Sequence, residues 1–140
     1  MSHWQYLISI AFTWTGFVCA ISFLEAWLKF RAPGVTLPIG LSIGRLIFRA
    51  LNKVEWFFAL AATLLVFYGN SYKHSETIYL AIPILLLLLQ TIWLLPAMDK
   101  RAELIISGAE LPRSTLHFYY IGAELIKVIS LVIFGVQLFR

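Results

Sequence analysis

Near the end of the chain, the stretch LHFYYIGAELIKVISLVIFG (residues 116–135) joins an apolar run to four groups able to do chemistry: His117, Tyr120, Glu124 and Lys127. At 100° per residue they fall in a sector about 80° wide, so one helix face carries an imidazole, a phenol, a carboxylate and an amine. An ionisable group at the centre of a bilayer costs about 3 kcal/mol or more, so such residues mark ion, proton or ligand sites by default. Glu124 is the group best placed to carry a proton, with Tyr120 and His117 continuing its stripe towards the helix start.

Other segments bring polar groups to the same depth. The first apolar segment ends with Ser22, Glu25 and Lys29 on one face, and the second begins with Arg45, Asn52 and Glu55 on one face. Gln90 lies within the third, with Asp99 and Arg101 after it. The expectation is one polar cavity at one pole of a bundle, with Glu55, Glu124 and Lys127 deepest and Glu25, Lys29 and Asp99 near the boundary. A plainer arrangement competes with it. Glu25 and Lys29 at i,i+4, and Glu124 and Lys127 at i,i+3, can each neutralise the other on their own helix. Long side chains near the boundary can also reach water.

Several chemistries find little support. His117 and Glu124 stand two turns apart, about 10 Å along the axis, too far to grip one ion together, so no metal is expected and His117 is at most a weak candidate. His3 and His74 fall at the opposite membrane face from His117, which excludes a bis-histidine haem within one chain. No serine or cysteine is tied by local sequence to His117, and no glycine-rich phosphate cradle is present. Gly40 and Gly44 form a GxxxG spacing that permits close helix packing. No cofactor is expected and no catalytic residue is assigned.

The elements that must position these groups follow from composition. Of 140 residues, 61% are hydrophobic and 13% charged, against about 45–50% and 25% in soluble domains, which points to a membrane protein. Four apolar segments, about 4–30, 51–68, 78–98 and 117–139, reach the length of about 17–25 residues that spans a bilayer. The fold class is therefore an all-α integral membrane four-helix bundle in a single domain.

Lys29, Arg31, Arg45, Arg49, Lys53, Lys100, Arg101, Arg113 and Lys127 gather on one side, and only Lys73 and Arg140 fall on the other. The positive-inside rule places both long loops in the cytoplasm and both termini outside, as in a bacterial cytoplasmic membrane. Thr36 can cap a helix beginning at Leu37-Pro38 and running to Tyr68, long enough to project into the cytoplasm. The third helix is expected to pass a kink at Pro96 and stop at Gly108. Trp4, Tyr6, Trp27, Trp56, Tyr68, Tyr79 and Tyr119 read as interfacial belts. The start, MSHWQYLISI, lacks a positive n-region and reads as part of the first span. Cys19 is the single cysteine, so the chain forms no internal disulfide. No internal repeat is found.

The stretches FLEAWLKFRAPGVTLPIGLSIGRLIFRALNKVEW, IWLLPAMDKRAE and LHFYYIGAELIKV resemble a small four-helix membrane family that includes transmembrane protein 205. Phe30, Arg31 and Pro33 match its turn after the first helix, Trp93, Leu94 and Pro96 its third-helix end, and His117 with Glu124 the opening of its fourth. The resemblance implies a four-helix membrane fold. The family is linked to drug export or tolerance without an established reaction, and its position matching Glu124 can be uncharged.

The functional expectation is a membrane protein that binds or moves a small polar solute, ion or proton through a cytoplasm-facing cavity, as a homo-oligomer. The alternative is a non-catalytic subunit of a larger membrane complex, in which the same charges pair with a partner. A small membrane enzyme ranks third. The bilayer is the expected environment, and nucleic acid is not an expected partner.

Overall fold

The computed structural model describes residues 2–69 and 74–140, so the expectation for Lys73 falls outside the described residues. Four helices carry the chain: α1, His3–Arg31; α2, Leu37–Tyr68; α3, Ser75–Ile106; and α4, Leu116–Gln137. Each contains an 18-residue window apolar enough to cross a membrane. In the bundle, α4 packs against α1 and α3, and α2 also packs against both.

Leu7, Leu80 and Leu138 share one apolar cluster, with Leu65 against it, so the start of α1, the end of α2, the start of α3 and the end of α4 lie at one end of the bundle. A second cluster of Leu94, Tyr120 and Ala123, with Phe48, Met98 and Leu116 against it, lies towards the other end. The outward faces are apolar too: Phe57, Leu60, Phe67, Leu85, Ile92 and Phe118 are all exposed. Side chains of this type on the outside are what a lipid solvent requires.

Local chemistry explains the boundaries. The backbone at Thr36 is extended, with Pro38 in the first turn of α2, but the Thr36 side chain makes no capping hydrogen bond. Its role is to break the chain direction and hand over to a proline that needs no amide partner there. α2 then runs 32 residues, about 48 Å at 1.5 Å per residue, against a hydrocarbon core of about 30 Å. α3 stops at a glycine with φ +99° at Gly108, where Ala109 N donates to Leu104 O and Gly108 N to Ile105 O. That is the paired bonding that satisfies the last carbonyls of a helix and favours glycine. Arg101 closes the α3–α4 connection by donating to the Pro112 carbonyl.

Two helices are irregular at the depth where the polar residues gather. In α3 the turn Gln90–Leu94 is π-helical and lies just before Pro96. Proline lacks the amide that would bond the Ile92 carbonyl, so the kink expected at Pro96 takes the form of a widened turn ahead of it. Pro83 leaves the Tyr79 carbonyl in the same condition, and Ser130 of α4 donates to that carbonyl at 2.7 Å. In α1 the π-helical stretch is Cys19–Glu25, with no proline inside it.

Candidate functional site

α4 positions the centre of the site. Its buried positions, Tyr120, Ala123, Glu124, Lys127, Ser130, Leu131 and Phe134, recur at spacings of three and four, so the face that carries the charges is the face packed inward. Glu124 and Lys127 are 0% exposed, and Glu55 of α2 and Gln90 of α3 are 1% exposed. These four side chains meet between the two apolar clusters.

Every hydrogen of the Lys127 ammonium has an acceptor. It donates to Glu55 Oε2 at 2.7 Å, to Glu124 Oε1 at 2.7 Å and to Gln90 Oε1 at 2.5 Å. Gln90 Nε2 donates in turn to Glu124 Oε1 at 2.5 Å. Trp14 of α1 donates its indole N–H to Glu55 Oε2 at 2.7 Å, and Ser22 donates to Glu124 Oε2 at 2.7 Å. All four helices contribute, and an ammonium has three donors, all of them used here. A desolvated charge costs several kcal/mol unless its partners are this complete.

Each π-helical stretch contributes one residue to this network. Ser22 sits inside the α1 stretch, and Gln90 opens the α3 stretch. Gln90 faces Glu124, while Thr91, the next residue and about a quarter-turn round the helix, faces a different neighbourhood. Thr91 Oγ1 accepts from Asn52 Nδ2 at 3.0 Å and from Trp56 Nε1 at 2.9 Å, and donates to the Leu87 carbonyl at 2.7 Å.

The stripe therefore does not line one cavity. Glu55, Glu124, Lys127 and Gln90 are sealed against one another, and Tyr120 is buried beside them, edge-on to Phe48 with ring centroids 5.1 Å apart. A separate pocket of about 420 Å³ opens at the loop end of the bundle, away from the termini. Asn52, Lys29, Asp99 and His117 line it, together with Arg45, Arg49, Lys53 and Thr91. Glu25 stands at its edge, paired with Lys29 at 3.4 Å, the i,i+4 arrangement that the sequence spacing allows.

The pocket is basic. Arg45 grips Asp99 through Nε at 2.7 Å and Nη2 at 3.0 Å, while Arg49 Nη2 reaches both Asp99 oxygens at 2.9 Å. Glu103 is a looser partner of Arg45 at 4.0 Å. Lys29 lies over the small surface of Gly44, where an added Cβ would come within 3.2 Å of its Nζ, and stacks against Phe30 and Phe48 at 5.4 and 5.6 Å. Phe30 itself covers Gly40, so closely that a Cβ there would strike the ring. The GxxxG spacing of α2 thus seats two side chains from the end of α1.

Among the described residues no three His, Cys, Asp or Glu side chains gather closely enough to hold a metal ion. His117 stands exposed at the pocket. The residues that sequence reasoning passed over are Trp14 and Thr91. Trp14 carried a usable signal, because it falls mid-span, ten residues in from the Trp4 belt position, where an indole N–H needs a buried acceptor. Trp56 reads as belt from sequence, yet its N–H points inward to Thr91. No family model, no curated protein and no solved structure matches the chain, so the residues themselves carry the functional argument.

Proposed function

We propose that this four-helix membrane protein binds a small anionic ligand in the basic pocket, with the loop end of the bundle facing the cytoplasm. The observation that carries the reading is the lining itself: Lys29, Arg45, Arg49 and Lys53 face one space with Asp99 as the carboxylate among them. With Glu25 and Glu103 included as edge partners, one positive charge remains in excess. Guanidinium groups present planar donor forks that suit oxyanions, and Lys29 and Lys53 add compact charges. The orientation rests on the excess of Lys and Arg around the two long loops.

Binding fits better than conduction. Beyond Asn52 and Thr91 the interior is the sealed network, where Lys127 and its acceptors leave no space for a solute. That network acts as the rigid floor of the pocket, and Gln90 and Thr91 tie the two together through adjacent positions on one turn. The resemblance to the transmembrane protein 205 family remains a proposal about ancestry and adds nothing to this assignment.

The test is anion binding by the purified chain in neutral detergent. Inorganic phosphate, sn-glycerol 3-phosphate and dioleoyl phosphatidic acid should be titrated separately, with melting temperature and native mass spectrometry as readouts. At least one should bind, and Lys29→Gln with Lys53→Gln should weaken it. If none of the three binds, the reading fails. Reporter fusions after Pro33 and Gly108 should read as cytoplasmic; an external reading would reverse the orientation.

A further inference from the structure

Resting on that anion-binding reading, we propose that the pocket is a lipid site: it takes the phosphate monoester head group of a lipid from the adjoining leaflet, with the start of an acyl chain along its apolar wall. The first support is size. At about 420 Å³ the pocket holds roughly fourteen water volumes, taking about 30 Å³ for each, so an inorganic oxyanion of five heavy atoms would leave most of it empty. The second is the division of the lining. Lys29, Arg45, Arg49 and Lys53 supply the cationic side, while Phe30, Leu41, Phe48 and Leu95 supply an apolar one. A soluble phosphate has nothing to place against four hydrocarbon side chains. An acyl chain does.

Depth supplies the third support. The pocket residues of α2 run from Gly40 to Lys53, from the first turn to just past the midpoint of a helix about 48 Å long that exceeds the hydrocarbon core of about 30 Å. With the excess length on the loop side, Arg45 and Arg49 stand at the level of the leaflet phosphates, and Lys53, about a turn deeper, reaches towards it with its long side chain. Basic pockets between membrane helices on the cytoplasmic side are where anionic head groups are recognised, and the cytoplasmic leaflet is the anionic one. The geometry also leaves donors for a head group. A guanidinium has five N–H groups, and Arg45 directs Nε and Nη2, and Arg49 its Nη2, at Asp99. With Glu25, Asp99 and Glu103 all counted against the four cations, one positive charge is left for an incoming phosphate to neutralise.

Native mass spectrometry of the chain in a non-ionic detergent tests this with four probes: dioleoyl phosphatidic acid, dioleoyl phosphatidylcholine, oleic acid and sn-glycerol 3-phosphate. One phosphatidic acid per chain should be retained, at least tenfold more tightly than each of the other three. Lys29→Gln with Lys53→Gln should weaken retention at least tenfold, and Lys29→Arg with Lys53→Arg should restore it. Should the double variant fail to fold, Lys53→Gln alone, at an exposed position, should weaken retention several-fold. Equal retention of phosphatidylcholine or oleic acid overturns the phosphate-lipid assignment, as does unchanged phosphatidic acid binding in the lysine variants. Glycerol phosphate binding as tightly as phosphatidic acid overturns the lipid part and leaves anion binding standing. No anion bound at all sinks both.

Discussion

The sealed network and the open basic pocket are built from the same residue types in opposite proportions. Around Lys127 two carboxylates meet one ammonium, and around Asp99 two guanidiniums meet one carboxylate. The first group is 0–1% exposed, whereas the side chains of Asp99 and Arg49 are 27% and 57% exposed. Where water is absent, the chain supplies a protein partner for each charge, from all four helices. Where the interface is near, it leaves donors and space. Partners are complete in the sealed group and incomplete in the open one, and the proposed ligand site rests on that difference.

The largest effect should come from breaking the sealed group. Lys127→Met removes the common donor and strands Glu55 and Glu124 together, so it should cost about 3–5 kcal/mol. Adding Glu124→Gln should return part of the loss, and adding Glu55→Leu as well should return most of it, since apolar replacement of a whole buried ion cluster is often neutral. Thermal unfolding of the three variants in one detergent decides the matter. Strictly additive losses would mean that these charges do not share one desolvated site.

Next in size is Trp14→Phe. It keeps the ring that lies 6.4 Å from Phe58 but deletes the N–H bonded to Glu55 Oε2. Losing a hydrogen bond to a charged buried acceptor should lower stability by about 1.5–3 kcal/mol. A melting temperature equal to wild type would show that Glu55 is satisfied without it. Gly40→Ala should come after it, at the lower end of the overpacking range of about 1–3 kcal/mol, because Phe30 is 37% exposed and can swing aside. Gly122→Ala, with nothing within 4 Å of the new methyl, is the matched control and should be neutral or slightly stabilising.

How far these two regions were legible in the sequence depends on their physics. The four helices, the 37–68 extent of α2 and the stop at Gly108 come from hydropathy and turn residues, which act locally. That Glu55, Gln90, Glu124 and Lys127 converge could be argued from depth and helix angle. That they seal could not, because it takes the long-range partners Trp14 and Ser22 of α1 closing on the two carboxylates, which no local pattern shows. A uniform 100° per residue also misplaces Ser22, inside the widened stretch of α1, and the residues after Gln90 in α3 by part of a turn. The single expected cavity therefore separates into a closed network and a pocket one residue apart, at Gln90 and Thr91.

Among the charged positions the smallest stability effect should come from the open group, and salt should expose the difference. Asp99→Asn removes a carboxylate shared by Arg45 and Arg49 at a partly exposed site, where ion pairs contribute little to stability. Its melting temperature at low ionic strength should fall only slightly. Raising the salt towards 1 M shortens the screening length from about 10 Å at 0.1 M to about 3 Å, so even that gap should close. Screening acts through water, and no water separates Lys127 from its three acceptors at 2.5–2.7 Å. The deficit of Lys127→Met should therefore persist unchanged across the same salt series. If instead the Lys127→Met deficit shrank with salt as the Asp99→Asn deficit does, ions would be reaching the cluster, and the division between a sealed network and an open pocket would not hold in solution.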